Sequence, residues 1–174
     1  MSKSTLSDWY TIREANEDDL PSILEIFNER VLNSSSLFVY EAVPLENRQA
    51  WYRDAKAKGY PIIVVVEKET NKVIAYDYHR RGLGRVMLQK MIRIAKDMGL
   101  RSIIASITSE NEPSVRLFSV FQFKLAGVFH DVGYKFGRYL DVSFYELILD
   151  TVVDKSVTVP SFKPFPWGQY KFDQ

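Results

Sequence analysis

The chain has 174 residues, 46% of them hydrophobic and 26% charged, which fits about one globular domain and excludes a largely disordered protein. Its 23 basic residues almost balance its 22 acidic residues, so the net charge of +1 gives no electrostatic argument for nucleic-acid binding. The absence of cysteine excludes disulfides and a cysteine nucleophile, and two histidines are too few for a multi-histidine metal centre.

The first half of the chain is predicted to contain a strand, two helices and a hairpin. A short strand is expected at residues 9–13, and Asn16 can cap a helix whose apolar positions between Leu20 and Val31 follow the 3.6-residue period. A second helix is expected at residues 44–58, with Gly59 as its left-handed end. Residues 61–67 and 73–76 are typical of the two strands of a hairpin.

The second half is predicted to start with a glycine-containing turn and to alternate helices with strands. The turn opens a helix that ends at Gly99, and the strand expected at residues 103–107 looks buried and implies a βαβ crossover. A short helix at 113–121 and strands at 123–129 and 142–149 complete an α/β (α+β) domain with a mixed sheet. This domain is expected to span residues 8–150, and residues 151–174 to form an extended C-terminal tail.

The glycine turn is the sharpest chemical feature of the sequence. Gly82 and Gly84 allow a ligand to approach the backbone closely, at a helix N-terminus that attracts anions. Arg80, Arg81 and Arg85 add three guanidinium groups suited to phosphate. The same residues could form only a tight basic turn, but the three arginines favour phosphate binding. The pattern fits neither the dinucleotide fingerprint nor the Walker motif.

Residues 12–15 and 33–38, together with three longer motifs, resemble the GCN5-related N-acetyltransferase (GNAT) family. The sequence His-Arg-Arg-Gly-Leu-Gly at 79–84 is similar to its pyrophosphate-binding motif, Gln/Arg-x-x-Gly-x-Gly/Ala, with His79 as a departure. Asn-Glu-Pro-Ser-Val-Arg-Leu at 111–117 resembles the family's next motif, and residues 133–141 resemble a signature of its phosphinothricin acetyltransferase branch. The resemblance extends over about residues 10–147 and implies a GNAT-like mixed, largely antiparallel sheet flanked by helices.

The resemblance also implies a co-substrate and the residues around it. Acetyl-CoA would be held at its pyrophosphate by Arg80, Arg81, Gly82, Leu83, Gly84 and Arg85, and near its thioester by Asn111. Phe38, Lys135 and Arg138 would lie on the acceptor side, where the two cations could bind the acidic groups of a small amino-acid analogue. Asn111 could equally be an ordinary helix cap, and Lys135 and Arg138 a solvated basic loop between two strands.

One central strand of the family's sheet is missing between Tyr76 and His79. Only Asp77 and Tyr78 stand between these residues, whereas a strand needs about 5–6 residues. In the family this strand pairs with pantetheine and polarises the thioester carbonyl, and in the phosphinothricin branch it follows a glutamate proposed as general base. No catalytic residue can therefore be carried over to this chain.

The general acid of the family is also missing. Phe118 stands where relatives usually have Tyr or His, and a phenyl ring cannot protonate a thiolate. His130 could titrate near neutral pH and is a conceivable replacement base, although an exposed histidine at a strand end is the simpler interpretation.

The sequence thus predicts an acetyl-CoA-dependent N-acetyltransferase that transfers acetyl directly to the amino group of a small amino-acid-like acceptor, of the phosphinothricin or methionine sulfone type. The alternative is a CoA-binding member of the family that is catalytically impaired or dead. Its partners would be the small amine and a second copy of the chain, with no metal, nucleic acid or membrane. The longest apolar run, residues 62–66, is far too short to span a membrane, and the N-terminus lacks the apolar part of a signal peptide, so a cytoplasmic location is expected.

Overall fold

The computed structural model describes residues 9–74, 82–150 and 162–172. Within these ranges the chain forms four α-helices, one 3-10 helix and five strands, which confirms the predicted α+β class. The elements in chain order are β1 (Tyr10–Glu14), a 3-10 turn (Glu17–Asp19), α1 (Leu20–Asn33), α2 (Leu45–Ala57), β2 (Ile63–Glu67), α3 (Leu83–Asp97), β3 (Ser102–Thr108), α4 (Glu112–Val120), β4 (Lys124–Lys135) and β5 (Arg138–Ile148). None of the helices in these ranges is long and apolar enough to cross a membrane.

The described residues belong to two compact units. The first comprises residues 9–27, 43–74, 82–90 and 164–172, and the second residues 28–42, 91–150 and 162–163. The glycine turn belongs to the first unit, and the segments around Phe38, Lys135 and Arg138 belong to the second.

The first unit is built on an antiparallel pair of strands, β1 and β2, with Tyr10 opposite Glu67 and Glu14 opposite Ile63. Val64 and Val65 of β2 are fully buried, because apolar residues flank this strand on both faces. Val73, which lies in the predicted second strand of the hairpin, forms an antiparallel bridge with Val66. The short junction after Tyr76, on which the prediction of a missing strand depends, lies outside the described residues.

The start of α1 shows how local sequence fixes an element. Residues 17–19 form a 3-10 turn, and the predicted cap residue Asn16 donates its backbone N–H to the Asp19 carboxylate at 2.8 Å. Asp19 is buried and also accepts two hydrogen bonds from the Arg13 guanidinium, at 2.6 and 2.8 Å. This two-pronged ion pair ties the end of β1 to the beginning of α1.

The C-terminal residues 162–172 contain no helix or strand, and part of this segment packs on the first unit. Phe165 is buried and donates its backbone N–H to the Gly59 carbonyl at 2.8 Å. Trp167 lies edge-on to Tyr52, and the Gly168 N–H donates to the Glu14 carboxylate at 2.7 Å.

The second unit contains a three-stranded antiparallel sheet in the order β3–β5–β4. Strand β4 continues to Lys135, beyond the predicted end at 129, and a two-residue turn of Phe136 and Gly137 leads directly into β5. Both turn residues have positive φ (51° and 77°), as a tight hairpin with the natural strand twist requires. The expected basic loop is therefore a β-hairpin, and the predicted strand end coincides with a bulge between Phe129 and Gly133.

Strand β3 differs from its prediction in two respects. It pairs antiparallel with β5, and the parallel pairing of a βαβ crossover is not among the pairs that the described residues form. It is also less buried than its apolar sequence suggested, since the side chain of Ile104 is 64% exposed.

Candidate functional site

The glycine turn forms the N-terminus of α3. Gly82 has φ of +79°, a conformation that strains other residues, and its carbonyl accepts the N–H groups of Arg85 (3.1 Å) and Val86 (3.2 Å). The first amides of a helix have no acceptor within the helix, so the backbone here offers N–H groups to an anion. Gly84 and Arg85 are exposed, which fits a phosphate ligand. Arg80 and Arg81 lie outside the described residues.

Leu83 has a different part in this turn. Its side chain is 2% exposed and packs with Tyr10, Val65 and Ile74 in the core of the first unit. Only the backbone of Leu83 is therefore left for a ligand, while its side chain anchors the turn to the sheet.

Asn111 is the N-cap of α4. Its side-chain oxygen accepts the Ser114 N–H at 3.3 Å, and its backbone carbonyl accepts the Val115 N–H at 3.0 Å. The interpretation of Asn111 as a helix cap is confirmed. Further along α4, the phenyl ring of Phe118 lies edge-on to Phe123, with ring centroids 4.9 Å apart.

The three residues expected on the acceptor side come together in the second unit. The Phe38 ring lies directly over Gly133 of β4, where an added Cβ atom would stand 2.2 Å from the ring. The Lys135 ammonium donates to the backbone carbonyl of Leu37 at 2.6 Å. Arg138 starts β5, directly opposite Lys135 in the hairpin register.

The expected solvated basic loop is wrong for Lys135 in particular. Its side chain points into the protein, and the residue is only 3% exposed. Burial lowers the pKa of the Lys135 ammonium, because desolvation disfavours the charged form. The Phe136 ring lies 5.2 Å from the same ammonium and supplies a cation–π contact.

Arg138 is paired with Glu110, at the end of the β3–α4 connection. Its two terminal nitrogens lie 2.6 and 2.8 Å from the two carboxylate oxygens. The hydrogen bond from Arg138 lowers the pKa of the Glu110 carboxyl, with a second contribution from the Ser35 hydroxyl, which donates to Glu110 at 2.7 Å. A guanidinium carries five N–H groups, so Arg138 retains three for a ligand. It is half-exposed.

An open cleft of about 270 Å³ adjoins this ion pair. It is lined by Thr108, Ser109, Glu110, Arg138, Tyr139, Leu140 and Asp141. One lining side chain, Ser109, has its hydroxyl 2.7 Å from the hydroxyl of the buried Ser143.

His130 and Asp141 form a second pair, at the bulge in β4. The Nδ1 atom of His130 lies 2.9 Å from one Asp141 oxygen, and the Asp131 N–H donates to the other at 3.0 Å. These contacts lower the pKa of the Asp141 carboxyl, the backbone N–H first. The His130 side chain is 75% exposed, which confirms that this histidine is exposed, but it lies within β4 and not at a strand end, because β4 continues to Lys135.

Sequence reasoning missed Ser35, Thr108 and Glu110. Thr108 donates its hydroxyl to the Ser35 carbonyl at 2.8 Å, and Glu110 joins Ser35 to Arg138. The sequence signals were two runs of polar residues, at 33–36 and 108–111, that each follow a helix or strand. Nothing in either run indicates that it contacts the other.

Comparisons with known proteins identify the family of this chain. The acetyltransferase (GNAT) domain family matches residues 59–144. The L-methionine sulfoximine/L-methionine sulfone acetyltransferase of Pseudomonas aeruginosa is 34% identical, over 80% of this chain and 95% of its own. The enzyme of that name from Pseudomonas paraeruginosa is 36% identical with the same coverage. The GNAT superfamily phosphinothricin acetyltransferase of Sinorhizobium meliloti, solved in complex with acetyl-CoA, has a TM-score of 0.76 at 25% identity, over 80% of this chain and 88% of its own.

The alignment lengths carry further information. The match to the Pseudomonas aeruginosa enzyme runs over 164 positions, whereas 80% of 174 residues is about 139, so about 25 positions have no counterpart here. The short junction after Tyr76 predicts that this chain has fewer residues than its relatives in the matched region, as the alignment lengths indicate. Identity above 30% over nearly the whole length of two curated enzymes shows common descent. The chain belongs to the GNAT family of N-acetyltransferases, in the branch that contains the phosphinothricin acetyltransferases.

Proposed function

We propose that this N-acetyltransferase transfers the acetyl group of acetyl-CoA to the α-amino group of a small amino-acid-like acceptor, such as methionine sulfone or phosphinothricin. The observation that carries the proposal is the position of Phe38, Lys135 and Arg138 together on the β4–β5 part of the second unit, where Arg138 lines a small polar cleft. The names of the curated relatives support the acceptor class.

The co-substrate end of the reaction is assigned to the glycine turn. Acetyl-CoA supplies an acyl group activated as a thioester. Its pyrophosphate would be bound by the side chains of Arg80, Arg81 and Arg85 and by backbone N–H groups at Gly82, Leu83 and Gly84. Asn111 would contact the co-substrate only through atoms that capping leaves available, because its side-chain oxygen already accepts the Ser114 N–H.

The acceptor end is assigned to the second unit. The three N–H groups that Arg138 does not give to Glu110 can bind the carboxylate or phosphinate of the acceptor. The Phe38 ring, 37% exposed, offers an apolar surface to the acceptor's side chain. The Lys135 ammonium is buried, so Lys135 would act on the acceptor side by binding the Leu37 carbonyl, one residue before Phe38.

The proposed second partner is another copy of the chain. Large apolar side chains remain exposed on the β4–β5 hairpin. They are Phe129, Val132, Tyr134, Phe136 and Tyr139, each between 47 and 66% exposed. Contiguous exposed apolar residues are typical of protein interfaces, and this supports a homodimer. Light scattering on the purified chain would test it.

A second candidate function is CoA binding with impaired turnover. Phe118 has no ionisable group and lies against Phe123, and the alignment has about 25 positions without a counterpart in this chain. The lost positions would include the donors that polarise the thioester carbonyl. Losing one such donor in a comparable site costs about 2.7–4 kcal/mol.

One experiment separates the two functions. Release of free CoA would be measured with methionine sulfone and with phosphinothricin as acceptors, next to calorimetric binding of CoA. Release that depends on the acceptor supports acetyl transfer. CoA binding without release supports the impaired form. A chain that neither binds CoA nor turns over contradicts both.

A further inference from the structure

The segment that carries Phe38 has no helix or strand of its own. Residues 34–38, which we call the Phe38 segment, follow α1 and form a turn and then an irregular stretch. Such segments are usually mobile unless side chains from elsewhere satisfy their backbone groups. Here two side chains of the second unit bind backbone carbonyls of the segment, and a third accepts a hydrogen bond from the Ser35 hydroxyl.

Two of these attachments involve Ser35. The Thr108 hydroxyl, at the end of β3, donates to the Ser35 carbonyl at 2.8 Å, and Thr108 is only 4% exposed. The Ser35 hydroxyl donates to Glu110 at 2.7 Å, and Glu110 is itself held by Arg138. The backbone carbonyl and the hydroxyl of Ser35 are thus bound by the side chains of Thr108 and Glu110.

The third attachment is a buried charge. Lys135 donates to the Leu37 carbonyl at 2.6 Å, one residue before Phe38. Among the described residues this ammonium has no carboxylate in ion-pair distance, so its burial is offset by a carbonyl and the Phe136 ring. Burying a charge is costly unless its partners are well placed, and withdrawing the Leu37 carbonyl would leave the ammonium poorly solvated. The cost opposes any movement of the Phe38 segment away from the sheet.

The sheet also has a surface shaped for the Phe38 ring. Gly133 gives the ring direct access to the β4 backbone, and any larger residue would occupy the position of the ring. Ring and glycine are therefore in contact two residues from Lys135, on the same strand.

We propose that Lys135, Thr108 and Glu110 are positioning residues, which hold the Phe38 segment against the three-stranded sheet and thereby set the affinity for the acceptor. The link to acceptor affinity rests on the proposed function, whereas the attachment of the Phe38 segment to the sheet does not. It gives Lys135 a role through Leu37 instead of direct contact with the acceptor. Loosening the segment would then raise KM for the acceptor, with little change in kcat or in CoA binding.

The attachment is tested by hydrogen exchange of the full chain, followed by mass spectrometry of peptides that cover residues 34–40. The variants are Lys135→Met, which removes the charge at similar length, and Thr108→Val, which removes a single hydroxyl. Lys124→Met, an exposed lysine on the same strand, is the matched control. We expect exchange in the Phe38 segment to accelerate about tenfold in Lys135→Met and Thr108→Val, and peptides of β2 to be unchanged.

The link to the acceptor is tested on the same variants by steady-state kinetics with methionine sulfone. We expect KM to rise about tenfold while kcat and the Kd for CoA stay within about twofold. Exchange at the control rate in both variants would overturn the attachment, and this result does not depend on activity. Faster exchange with unchanged KM would overturn the positioning role, while absence of turnover in the unmodified chain would contradict only the proposed function. If Lys135→Met does not fold, Thr108→Val alone decides the attachment.

Discussion

Arg138 and Glu110 form a two-pronged ion pair at 2.6 and 2.8 Å, and this pair joins the start of β5 to the connection that follows β3. The hydrogen bond from Arg138 lowers the pKa of Glu110, and the Ser35 hydroxyl contributes in the same direction. A lowered carboxyl pKa stabilises the folded state above the pKa of the unfolded chain, and this contribution is lost as the pH falls through the folded-state value.

The first prediction follows from this sign. In Arg138→Met the Glu110 carboxyl should titrate closer to an ordinary glutamate, that is at higher pH than in the unmodified chain. The measurement is an NMR titration of side-chain carboxyl carbons in the unmodified chain and in the variant. Because both partners are exposed, the change in thermal stability should be small. An unchanged Glu110 titration would contradict the ion pair in solution.

The second prediction concerns the buried carboxylate of Asp19. Arg13→Met should lower the free energy of unfolding by about 1–3 kcal/mol, because a charged group then stays buried without its guanidinium. Arg93→Met removes an exposed i,i+4 ion pair with Asp97 and should cost less than about 0.5 kcal/mol. Urea denaturation compares the two. Equal effects would show that the Arg13–Asp19 pair contributes no more than a surface pair.

The third prediction uses two glycines of β4. Gly133→Ala should displace the Phe38 ring, since the new Cβ would overlap it, and should weaken acceptor binding and stability together. Gly127→Ala has nothing within 4 Å of the new Cβ and serves as the control. Replacing the Phe38 ring by the smaller leucine side chain, in the double variant Gly133→Ala/Phe38→Leu, should recover part of the lost stability. No recovery in this double variant would mean that the overlap is not the cause.

The fourth prediction tests the glycine turn. Arg80→Ala plus Arg81→Ala should weaken CoA binding by at least about tenfold while the melting temperature is retained, because charge-assisted contacts to phosphate are lost. Arg93→Ala plus Lys96→Ala removes the same charge from the other end of α3 and should leave the Kd for CoA nearly unchanged. Equal CoA affinity of all three proteins in calorimetry would remove the turn from the site.

The fifth prediction concerns turnover. This chain should release CoA more slowly than its curated relatives, because Phe118 cannot donate a proton and the short junction after Tyr76 is predicted to lack the carbonyl-polarising strand. Phe118→Tyr should accelerate release, and inserting the missing strand should accelerate it further. Release near about 1–10³ s⁻¹ by the unmodified chain would show that other groups do the chemistry. His130, whose Nδ1 is held by Asp141, would then be the first residue to replace.

Much of the fold could be predicted from local sequence. Apolar periodicity predicted α1 and α3, Pro44 and Gly59 marked the two ends of α2, Gly99 marked the end of α3, and the alternative of Asn111 as a cap is confirmed. These features depend on residues within a few positions of one another, so the sequence contains the whole interaction. The β4–β5 hairpin was not predicted from the sequence. Its turn contains Phe136 with positive φ, and an aromatic residue does not indicate that backbone conformation.

The candidate site divides in the same way. Its residues stay a prediction, which was made from two contiguous motifs, the glycine turn and the 133–141 signature. Local sequence identified the candidate residues Phe38, Lys135 and Arg138. Their contacts became known from the folded chain, in which Lys135 is buried on Leu37, Arg138 pairs with Glu110 and Phe38 lies on Gly133. The residues of these three contacts are 98, 28 and 95 positions apart in the sequence. Folding brings such distant segments together, and it therefore decides whether a cation contacts a ligand, a carboxylate or a carbonyl.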